Sequence, residues 1–399
     1  MKIIVNGKGY PEKRNIIVSD SHSYLNLKYK NIWLYRNAVR QRLMKANKLF
    51  VFSPLPFSVP GDAQVIHLFN EVATTQKPWI STFETELPRV LPVPGISKWR
   101  NPELKKQLRQ VAAPQCKAII AISEATKNIQ MKLLEAFPGE AAAILPKLHT
   151  LHPPQAVISD RPRSAAAGKR VFSFVGNEFY RKGGAEVVLA FSELLQEGVI
   201  DRDSVEVNLV GDLSNRYNIA HGAYQDNAAF YQQIETLINQ QSIFRHVAFM
   251  QNTLLMDLLR QTDVGLLPTW QDTYGFSVLE MQACGCPVIT TNVRALPEIN
   301  PSQAGWLLHC PLDEMFEISL RSAEEKQRIR RQVVAQLKQT ITDILAQPES
   351  VRSRSAMALQ RIKTDHDPAR FRASLDAFYQ LAARATPAPV GEALKRSNR

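Results

Sequence analysis

One stretch of the chain, residues 263–298, constrains the fold more than any other. It begins with a short apolar run at residues 264–268, which predicts a buried strand that ends at a proline. A polar loop follows, then a short helical pattern that begins near Ser277, and then a second β-rich run at residues 287–291. This order predicts a βαβ unit whose loop lies at the carboxyl edge of a parallel sheet.

The loop of this unit has the chemistry of a phosphate site. The first turn of a helix presents unpaired backbone N–H groups and a partial positive charge, and both attract a phosphate. Gly275 allows a ligand to approach the backbone closely because it has no Cβ. Glu280 lies inside the helix, where its carboxylate can accept hydrogen bonds from a ribose, and Asp272 lies on the loop within reach of a sugar hydroxyl. The alternative without a ligand is a capping box, in which Ser277 and Glu280 only form hydrogen bonds with backbone N–H groups at the start of their own helix.

The surrounding pattern favours the ligand site. Asp272-x7-Glu280, with Gly275 between the two acids and Gly-Cys-Pro-Val-Ile at residues 285–289, resembles the E-x7-E region of retaining GT-B glycosyltransferases of family 4. Asp272 stands where the family has its first glutamate, and Leu-Pro-Glu follows at residues 296–298.

This resemblance implies a fold, a reaction and a set of partners. The fold would be α/β, GT-B, with two facing Rossmann-like doubly wound parallel-sheet domains and a cleft between them. The reaction would be the retaining, metal-independent transfer of a sugar from a nucleotide-sugar donor to an acceptor hydroxyl, in cell-envelope or exopolysaccharide glycan assembly. The acceptor would be a glycan, a lipid-linked sugar or another hydroxyl compound. We expect no cofactor, because the nucleotide-sugar is a substrate.

A second loop, at residues 176–183, resembles the family's V-G-R…K-G segment, whose arginine and lysine hold the donor's diphosphate. Lys182 matches the lysine; Asn177 stands in for the arginine, and Arg181 could compensate. Two cations at this position would neutralise a leaving nucleotide. The resemblance therefore assigns donor binding to Gly176, Asn177, Arg181, Lys182, Tyr274, Gly275, Phe276, Ser277 and Glu280, and it assigns catalysis to Asp272, Glu84 and Lys182.

The first half of the chain resembles the family's acceptor domain only loosely. His67 lies in a predicted strand that often ends in His-x-His in the family, and Glu84 occupies the place of a histidine that usually enters the cleft. Gly9 follows the first predicted strand in a Gly-x-Gly loop, but Glu12 stands where a dinucleotide fingerprint needs its third glycine, so that fingerprint is rejected. We expect Gly9, His67 and Glu84 on the acceptor side, although Glu84 and Glu86 could be ordinary loop acids.

Length and composition fit two domains. The chain has 399 residues, of which 45% are hydrophobic, enough for two cores. We predict an acceptor-side domain at residues 1–160, a donor domain at residues 170–365, a helix at residues 366–386 that returns to the first domain, and a flexible tail at residues 387–399. The proline-, alanine- and charge-rich segment 151–170 predicts the linker.

The net positive charge is confined to residues 1–150. Residues 1–150 contain 22 Lys+Arg and 10 Asp+Glu, which accounts for the whole formal charge of +12. A basic amphipathic helix predicted at residues 31–47 could face anionic lipid, so we expect a cytoplasmic protein that can lie peripherally at the inner face of the membrane. A basic surface without a specific partner is the alternative. Nucleic acid is not expected, because no recognition motif accompanies the charge.

Other classes of function stay open. Four cysteines suggest a reducing compartment, and the Cys284-x-Cys286 pair lacks the second pair that a metal site would need. Asp272, Asn177, Glu84 and the pair Arg294-Ala295, where the family often has Gly-Gly, all depart from the family's pattern. These departures leave room for a binding protein that kept the fold without turnover. A sugar-nucleotide epimerase with the same fold is a further alternative.

Overall fold

The computed structural model describes residues 1–91, 93, 96, 98–159, 161–163 and 168–384. These residues form two compact units: residues 1–154 with those from 368 onward, and residues 155–367. The predicted tail at 387–399 lies outside the described residues, as do positions 160 and 164–167 of the predicted linker.

Most of the first unit's sheet consists of buried apolar strands. Every pairing is parallel, and within the described residues the order is β2-β1-β4-β6-β7-β8. Strands buried on both faces are typical of a parallel sheet covered by helices. The strands are β1 (Lys2–Val5), β2 (Ser23–Asn26), β4 (Val65–Phe69), β6 (Trp79–Phe83), β7 (Cys116–Ala121) and β8 (Leu148–Thr150), with β3 (Val51–Phe52) and β5 (Val72–Ala73) as a separate pair.

Helices connect these strands, and polar caps fix where several of them begin. Ser123 caps α4 by accepting a hydrogen bond from the Thr126 N–H at 3.0 Å, as the sequence predicts. The helices are α1 (Tyr10–Asn15), α2 (Ile32–Arg42), α3 (Pro102–Ala112), α4 (Glu124–Glu135) and α5 (Pro138–Ile144). The α2 helix is shorter than the predicted 31–47, and none of its residues is buried.

The second unit repeats this architecture. Its strands pair in parallel in the order β11-β10-β9-β12-β13-β14 within the part of the chain described. In the central register, Leu266 of the predicted organising strand lies opposite Phe174 on one side and Ile289 on the other. The strands are β9 (Arg170–Glu178), β10 (Val205–Asp212), β11 (Phe244–Val247), β12 (Val264–Leu267), β13 (Val288–Thr291) and β14 (Trp306–Leu308).

Seven helices of the described second unit accompany this sheet. They are α6 (Gly184–Gln196), α7 (Ala228–Gln240), α8 (Asn252–Gln261), α9 (Phe276–Ala283), α10 (Leu296–Ile299), α11 (Ala323–Ala346) and α12 (Glu349–Asp365). The sequence β12-α9-β13 is the predicted βαβ unit. Cys284 and Cys286 follow α9 without any exposed area, as small residues packed between a helix end and a buried strand.

The last described helix, α13 (Pro368–Arg384), belongs to the first unit. Phe371, Leu375 and Tyr379 of this helix pack on strand residues such as Val65 and Ile120. The described helices include none that is both long enough and apolar enough to pass through a bilayer.

Candidate active site

The loop between β12 and α9 is held by its own acid. The Asp272 Oδ1 atom accepts hydrogen bonds from the N–H groups of Tyr274, at 3.2 Å, and Gly275, at 3.0 Å. Gly275 has φ +96° and is the N-cap of α9, so Ser277 lies inside the first turn. The capping box of Ser277 and Glu280 does not form, because the N-cap is Gly275, which has no side chain to accept a hydrogen bond from the helix.

The other oxygen of Asp272 pairs with the lysine of the preceding glycine-rich loop. The Lys182 Nζ atom donates to Asp272 Oδ2 at 2.5 Å. The side chains are 17% exposed for Lys182 and 9% for Asp272. Two residues that the sequence assigns to catalysis are therefore in direct contact, at the carboxyl edge of the second sheet.

This pairing controls the charge of Asp272. Burial alone would raise the pKa of the carboxyl, but the Lys182 ammonium, its hydrogen bond and the nearby Arg181 lower that pKa below its ordinary value. Asp272 is thus an anion at neutral pH, with one oxygen bound by backbone and the other by a cation.

Arg181 ties the two loops together a second time. Its Nη1 atom donates to the carbonyl of Gln271 at 2.8 Å, and its Nη2 atom pairs with Glu178. The Arg181 carbonyl accepts from the Trp270 N–H at 3.0 Å. Arg181 therefore positions the loop in front of Asp272, and its predicted contact with a diphosphate stays a prediction.

Gly183 brings Lys182 close to β12. Its φ is +88°, and a Cβ atom built on it would lie 2.1 Å from the carbonyl oxygen of Pro268. Only glycine meets both conditions. A Cβ atom built on Gly176, near the end of β9, would lie 2.7 Å from the Lys182 Cβ atom, so glycine is needed there as well. Asn177, the next residue, is exposed.

The helix start presents the remaining predicted donor contacts. Phe276, Ser277 and Glu280 are all partly exposed, and Ser277 and Glu280, three residues apart, share one face of α9. Tyr274 differs, because its side chain has no exposed area and its ring packs 5.2 Å from that of Phe276. Its side chain is therefore not placed to contact a donor, and its contribution here is the backbone N–H.

A buried cluster of ion pairs lies next to Trp270. Asp226 accepts hydrogen bonds from Lys326 at 2.7 Å and from Arg330 at 2.7 Å and 2.9 Å. His221 lies edge-on to the Trp270 ring, with 4.6 Å between ring centroids, and burial lowers the pKa of His221 to about 3, which keeps it neutral. The segment at 215–240, for which the sequence offers no function, thus braces the loop that carries Asp272.

The turn after β13 contains Arg294, which the sequence marks only as a departure from the family's pattern, with no role assigned. Arg294 has φ +50°, in the left-handed region that glycine adopts most readily. Its guanidinium donates to Glu317 Oε1 at 2.6 Å, and Gln271 donates to the same oxygen at 3.1 Å. Arginine in a glycine-like conformation, beside the loop of Asp272, is a form of strain that often accompanies function; the departure from Gly-Gly at this turn was its only signal in the sequence.

In the first unit, Glu84 lies just beyond β6 and is held by neighbours. Its Oε1 atom accepts from Asn70 Nδ2 at 3.1 Å and lies 3.5 Å from Arg89. Gly9 is the N-cap of α1 and is exposed. Both residues lie near the carboxyl ends of the first sheet's strands.

His67 is placed differently from the prediction. It has no exposed area, and its ring nitrogens lie 2.8 Å from the Tyr379 hydroxyl and 2.9 Å from Thr82 Oγ1. Burial lowers the pKa of His67 to about 3. Its position argues against contact with an acceptor: alternation along β4 turns it towards α13, where it anchors that helix.

Glu71 is a titratable residue at this edge that the sequence analysis did not select. Asn6 Nδ2, at the end of β1, donates to Glu71 Oε2 at 2.7 Å, and burial raises the pKa of Glu71 to about 7. The available signal was positional, since Glu71 follows the end of a predicted parallel strand by two residues.

The two doubly wound units define the class of fold, which is GT-B. A UDP-forming α,α-trehalose-phosphate synthase from Burkholderia xenovorans superposes with a TM-score of 0.56 at 12% identity, covering 96% of this chain and 99% of that one. Anabaena HepE, in complex with UDP and glucose, superposes with a TM-score of 0.53 at 12% identity, over 95% of this chain and 99% of that one. At such identities the likeness shows the fold alone.

The sequence of the second unit is similar to one known family. Residues 158–340 match the family model of the glycosyl transferases group 1. A D-inositol 3-phosphate glycosyltransferase from Catenulispora acidiphila is 23% identical over 180 residues, which are 45% of this chain and 40% of that protein. The match thus spans about two fifths of that relative's length.

Proposed function

We propose that the protein is a retaining, metal-independent glycosyltransferase that moves a sugar from a nucleotide-sugar donor to an acceptor hydroxyl in glycan assembly. The observation that carries the proposal is the joining of Lys182 and Asp272 beside the start of α9. A cation, a fixed anion and the positive end of a helix dipole there match the charges that develop when the bond between sugar and diphosphate breaks.

Each group has a role that follows from its charge. Cleavage leaves negative charge on the diphosphate and positive charge on the sugar. Lys182 and the first turn of α9 would stabilise the diphosphate, because both are positive and lie on the same loops. Asp272 would orient the sugar, and Glu280, on the exposed face of α9, would hold the ribose. The diphosphate is met by protein cations, so no step calls for a metal ion.

The family and the fold support a nucleotide-sugar as the donor. The structural neighbour from Anabaena is described with UDP and glucose, and the trehalose-phosphate synthase is described as UDP-forming. We therefore propose a UDP-sugar as the first donor to test.

We also propose that the first unit binds an anionic membrane through α2 and the turns on either side of it. Residues 21–61 contain seven Lys+Arg and no Asp or Glu. The same segment exposes large apolar side chains: Tyr29, Tyr35, Val39, Leu43, Met44, Leu55 and Phe57. Exposed apolar groups among unopposed cations are typical of a helix that lies in a lipid interface.

The enzyme proposal is tested with the purified protein and a panel of UDP-, GDP-, ADP- and dTDP-sugars. A bound donor raises the apparent thermal stability by mass action, so at least one should raise Tm. The same donor should be hydrolysed slowly, and the anomer of the released or transferred sugar, followed by NMR, should match that of the donor. Activity should survive a chelator.

Variants identify the site. Glu280→Ala and Lys182→Met should both lose the donor-induced rise in Tm, whereas Lys363→Met, an exposed lysine of α12 in the same unit, should keep it. Stabilisation without hydrolysis or transfer would instead indicate a binding protein, and an altered sugar nucleotide without acceptor would indicate an epimerase.

A further inference from the structure

Three loops at the carboxyl edge of the second sheet meet at one carboxylate. Arg294 lies in the turn after β13, Glu317 lies between β14 and α11, and Gln271 lies after β12. Glu317 Oε1 accepts hydrogen bonds from Arg294 Nε at 3.0 Å, from Arg294 Nη2 at 2.6 Å and from Gln271 Nε2 at 3.1 Å. A single oxygen atom therefore joins the three loops.

The Arg294 guanidinium holds this carboxylate in place. The Arg294 side chain is 7% exposed, whereas that of Glu317 is 25% exposed, so water competes for the carboxylate and not for the guanidinium. Two charge-assisted hydrogen bonds to one oxygen are stronger than the neutral bond that Gln271 makes to it. The position of the carboxylate is thus set by Arg294, and Gln271 binds to it there.

Backbone hydrogen bonds fix the same turn. The Arg294 N–H donates to the Phe316 carbonyl at 3.0 Å, and the Glu317 N–H donates to Asp313 Oδ1 at 3.0 Å. The Asp313 N–H in turn donates to the Glu317 carbonyl at 2.8 Å. Glu317 is therefore held by its backbone as well as by its side chain.

Gln271 passes this constraint to Asp272, the next residue. The Gln271 carbonyl accepts from Arg181 Nη1 and from Thr269 Oγ1, both at 2.8 Å, and its side chain donates to Glu317. Its backbone and its side chain are thus tied to different loops. A residue held at both ends in this way limits how far Asp272 can move, and small displacements of such a group are costly in a reaction site.

The arrangement carries two costs that glycine at position 294 would avoid. Arg294 has φ +50°, and its buried Nη1 atom has no hydrogen-bond partner among the described residues. A left-handed arginine and an unsatisfied buried N–H both lower stability. Conformations of this kind persist where the surrounding structure enforces them, and they concentrate at functional sites.

We propose that Arg294 is a positioning residue, which fixes the loop of Asp272 through Glu317 and Gln271 and does not itself contact a substrate. The inference rests on the proposed glycosyltransferase function, in which Asp272 orients the donor's sugar. A role limited to stability, in which the ion pair only anchors the segment 309–322, is the outcome that the experiments must separate from it.

Two substitutions at position 294 separate the side chain from the backbone. Both Arg294→Ala and Arg294→Gly remove the guanidinium, but alanine keeps the strained left-handed conformation and glycine relieves it. Arg294→Gly should therefore melt at a higher temperature than Arg294→Ala. Both should nevertheless lose kcat to the same extent, roughly tenfold, with a smaller change in KM for the donor, because Asp272 orients the sugar less well. An effect that came only from stability would be smaller in Arg294→Gly.

A substitution at Gln271 breaks the tie to the loop and leaves the ion pair of Arg294 and Glu317 in place. Gln271→Ala should lose kcat as Arg294→Gly does, and the double variant should lose no more than either one, because both act through the same hydrogen bond. Arg328→Ala removes an exposed Arg–Glu pair of α11 in the same unit and should keep the wild-type kcat.

Hydrogen exchange of the full-length protein tests the same tie without any donor. The N–H groups of Tyr274 and Gly275 donate to Asp272, so their exchange reports whether the loop is held. Mass spectrometry or NMR should show roughly tenfold faster exchange of these two amides in Arg294→Gly and in Gln271→Ala. Arg328→Ala should exchange at the wild-type rate.

Wild-type exchange of these amides in Arg294→Gly overturns the inference, whatever the activity, and reduces the ion pair to an anchor of the segment 309–322. Additive losses of kcat in the double variant overturn it as well. Faster exchange in a protein whose wild type acts on no donor would sink the enzyme proposal and leave Arg294 as the residue that holds the Asp272 loop.

Discussion

Lys182 and Asp272 form a nearly buried ion pair, with 2.5 Å between Nζ and Oδ2, that joins two loops 90 residues apart in the chain. Taking two charges out of water is costly, and the pair is retained only because each charge is matched. Asp272 also accepts hydrogen bonds from two backbone N–H groups, so the pair links the loop after β9 to the residues that directly precede α9. Its geometry makes the two loops one structural element.

The first prediction follows from that matching. Lys182→Met or Asp272→Asn alone should lower the free energy of unfolding by about 3 kcal/mol, because each leaves its partner buried and unpaired. The double variant should lose clearly less than the sum of the two. Urea unfolding of the four proteins gives the coupling energy directly, and additive losses would mean that the pair contributes nothing of its own.

Much of the second unit's site follows from sequence, because its signals are local. The βαβ unit is fixed by apolar runs and by a glycine at the helix start, and parallel strands then bring Lys182 and Asp272 to one edge. The sequence does not show which polar groups form hydrogen bonds with one another. The spacing of Ser277 and Glu280 fits a capping box, yet Gly275 is the N-cap, and Asp272 binds the N–H groups before the helix.

The first unit shows where pattern reasoning fails. The sequence Val-Ile-His-Leu predicts a strand whose His67 side chain points to the acceptor side. In the structure, the alternation of side chains along β4 turns His67 towards Tyr379 of α13. The partner is 312 residues away in the chain, so no local signal identifies it. Glu71 was missed for the converse reason: its importance comes from a left-handed turn at Asn70 and from Asn6, both visible only in three dimensions.

A second prediction concerns Gly183, which sets the approach of Lys182 to β12. Gly183→Ala should destabilise the protein by about 2 kcal/mol more than Gly198→Ala, measured by thermal or urea unfolding. Both glycines have positive φ, +88° and +71°, but a Cβ on Gly198 meets nothing within 4 Å, whereas one on Gly183 meets the Pro268 oxygen. Because both variants share the backbone strain, the difference between their stability losses measures the clash alone. Equal losses would show that Pro268 and β12 move away from the new Cβ atom at no energetic cost.

The third prediction is a pH dependence of stability that comes from Glu71. Burial raises the pKa of Glu71 to about 7 in the folded protein, so folding favours its protonated form. The stability that this group contributes is fully present below the ordinary glutamate pKa and is lost as the pH rises through about 7. Glu71→Gln, which stays neutral, should therefore gain stability relative to the wild type between pH 5 and pH 8, by roughly 1 kcal/mol after allowance for partial exposure.

Burial, and not the charged neighbours of Glu71, fixes the sign of that effect. Glu12 opposes its ionisation, Lys48 and Lys28 favour it, and the Asn6 hydrogen bond favours the anion as well. Since burial outweighs these cations, the wild type alone should lose Tm from pH 5 to pH 8 in circular dichroism melts. Glu135→Gln removes an exposed acid of α4 and is the control, which should follow the wild type. A constant difference in Tm between wild type and Glu71→Gln would contradict the assignment.

The fourth prediction tests the membrane surface of the first unit. Vesicles of phosphatidylglycerol and phosphatidylcholine should bind the protein, and vesicles of phosphatidylcholine alone should bind it much less, in a sedimentation assay. Leu43 is 79% exposed and lies among the cations of residues 21–61. Leu43→Asp should weaken binding to the mixed vesicles roughly tenfold, because the substitution places a negative charge at the lipid boundary. Phe249→Asp changes a side chain that is 77% exposed in the second unit and adds the same negative charge, so it should bind as the wild type does. If both variants lost binding equally, net charge alone would account for the attraction, and the apolar face of α2 would have no part in it.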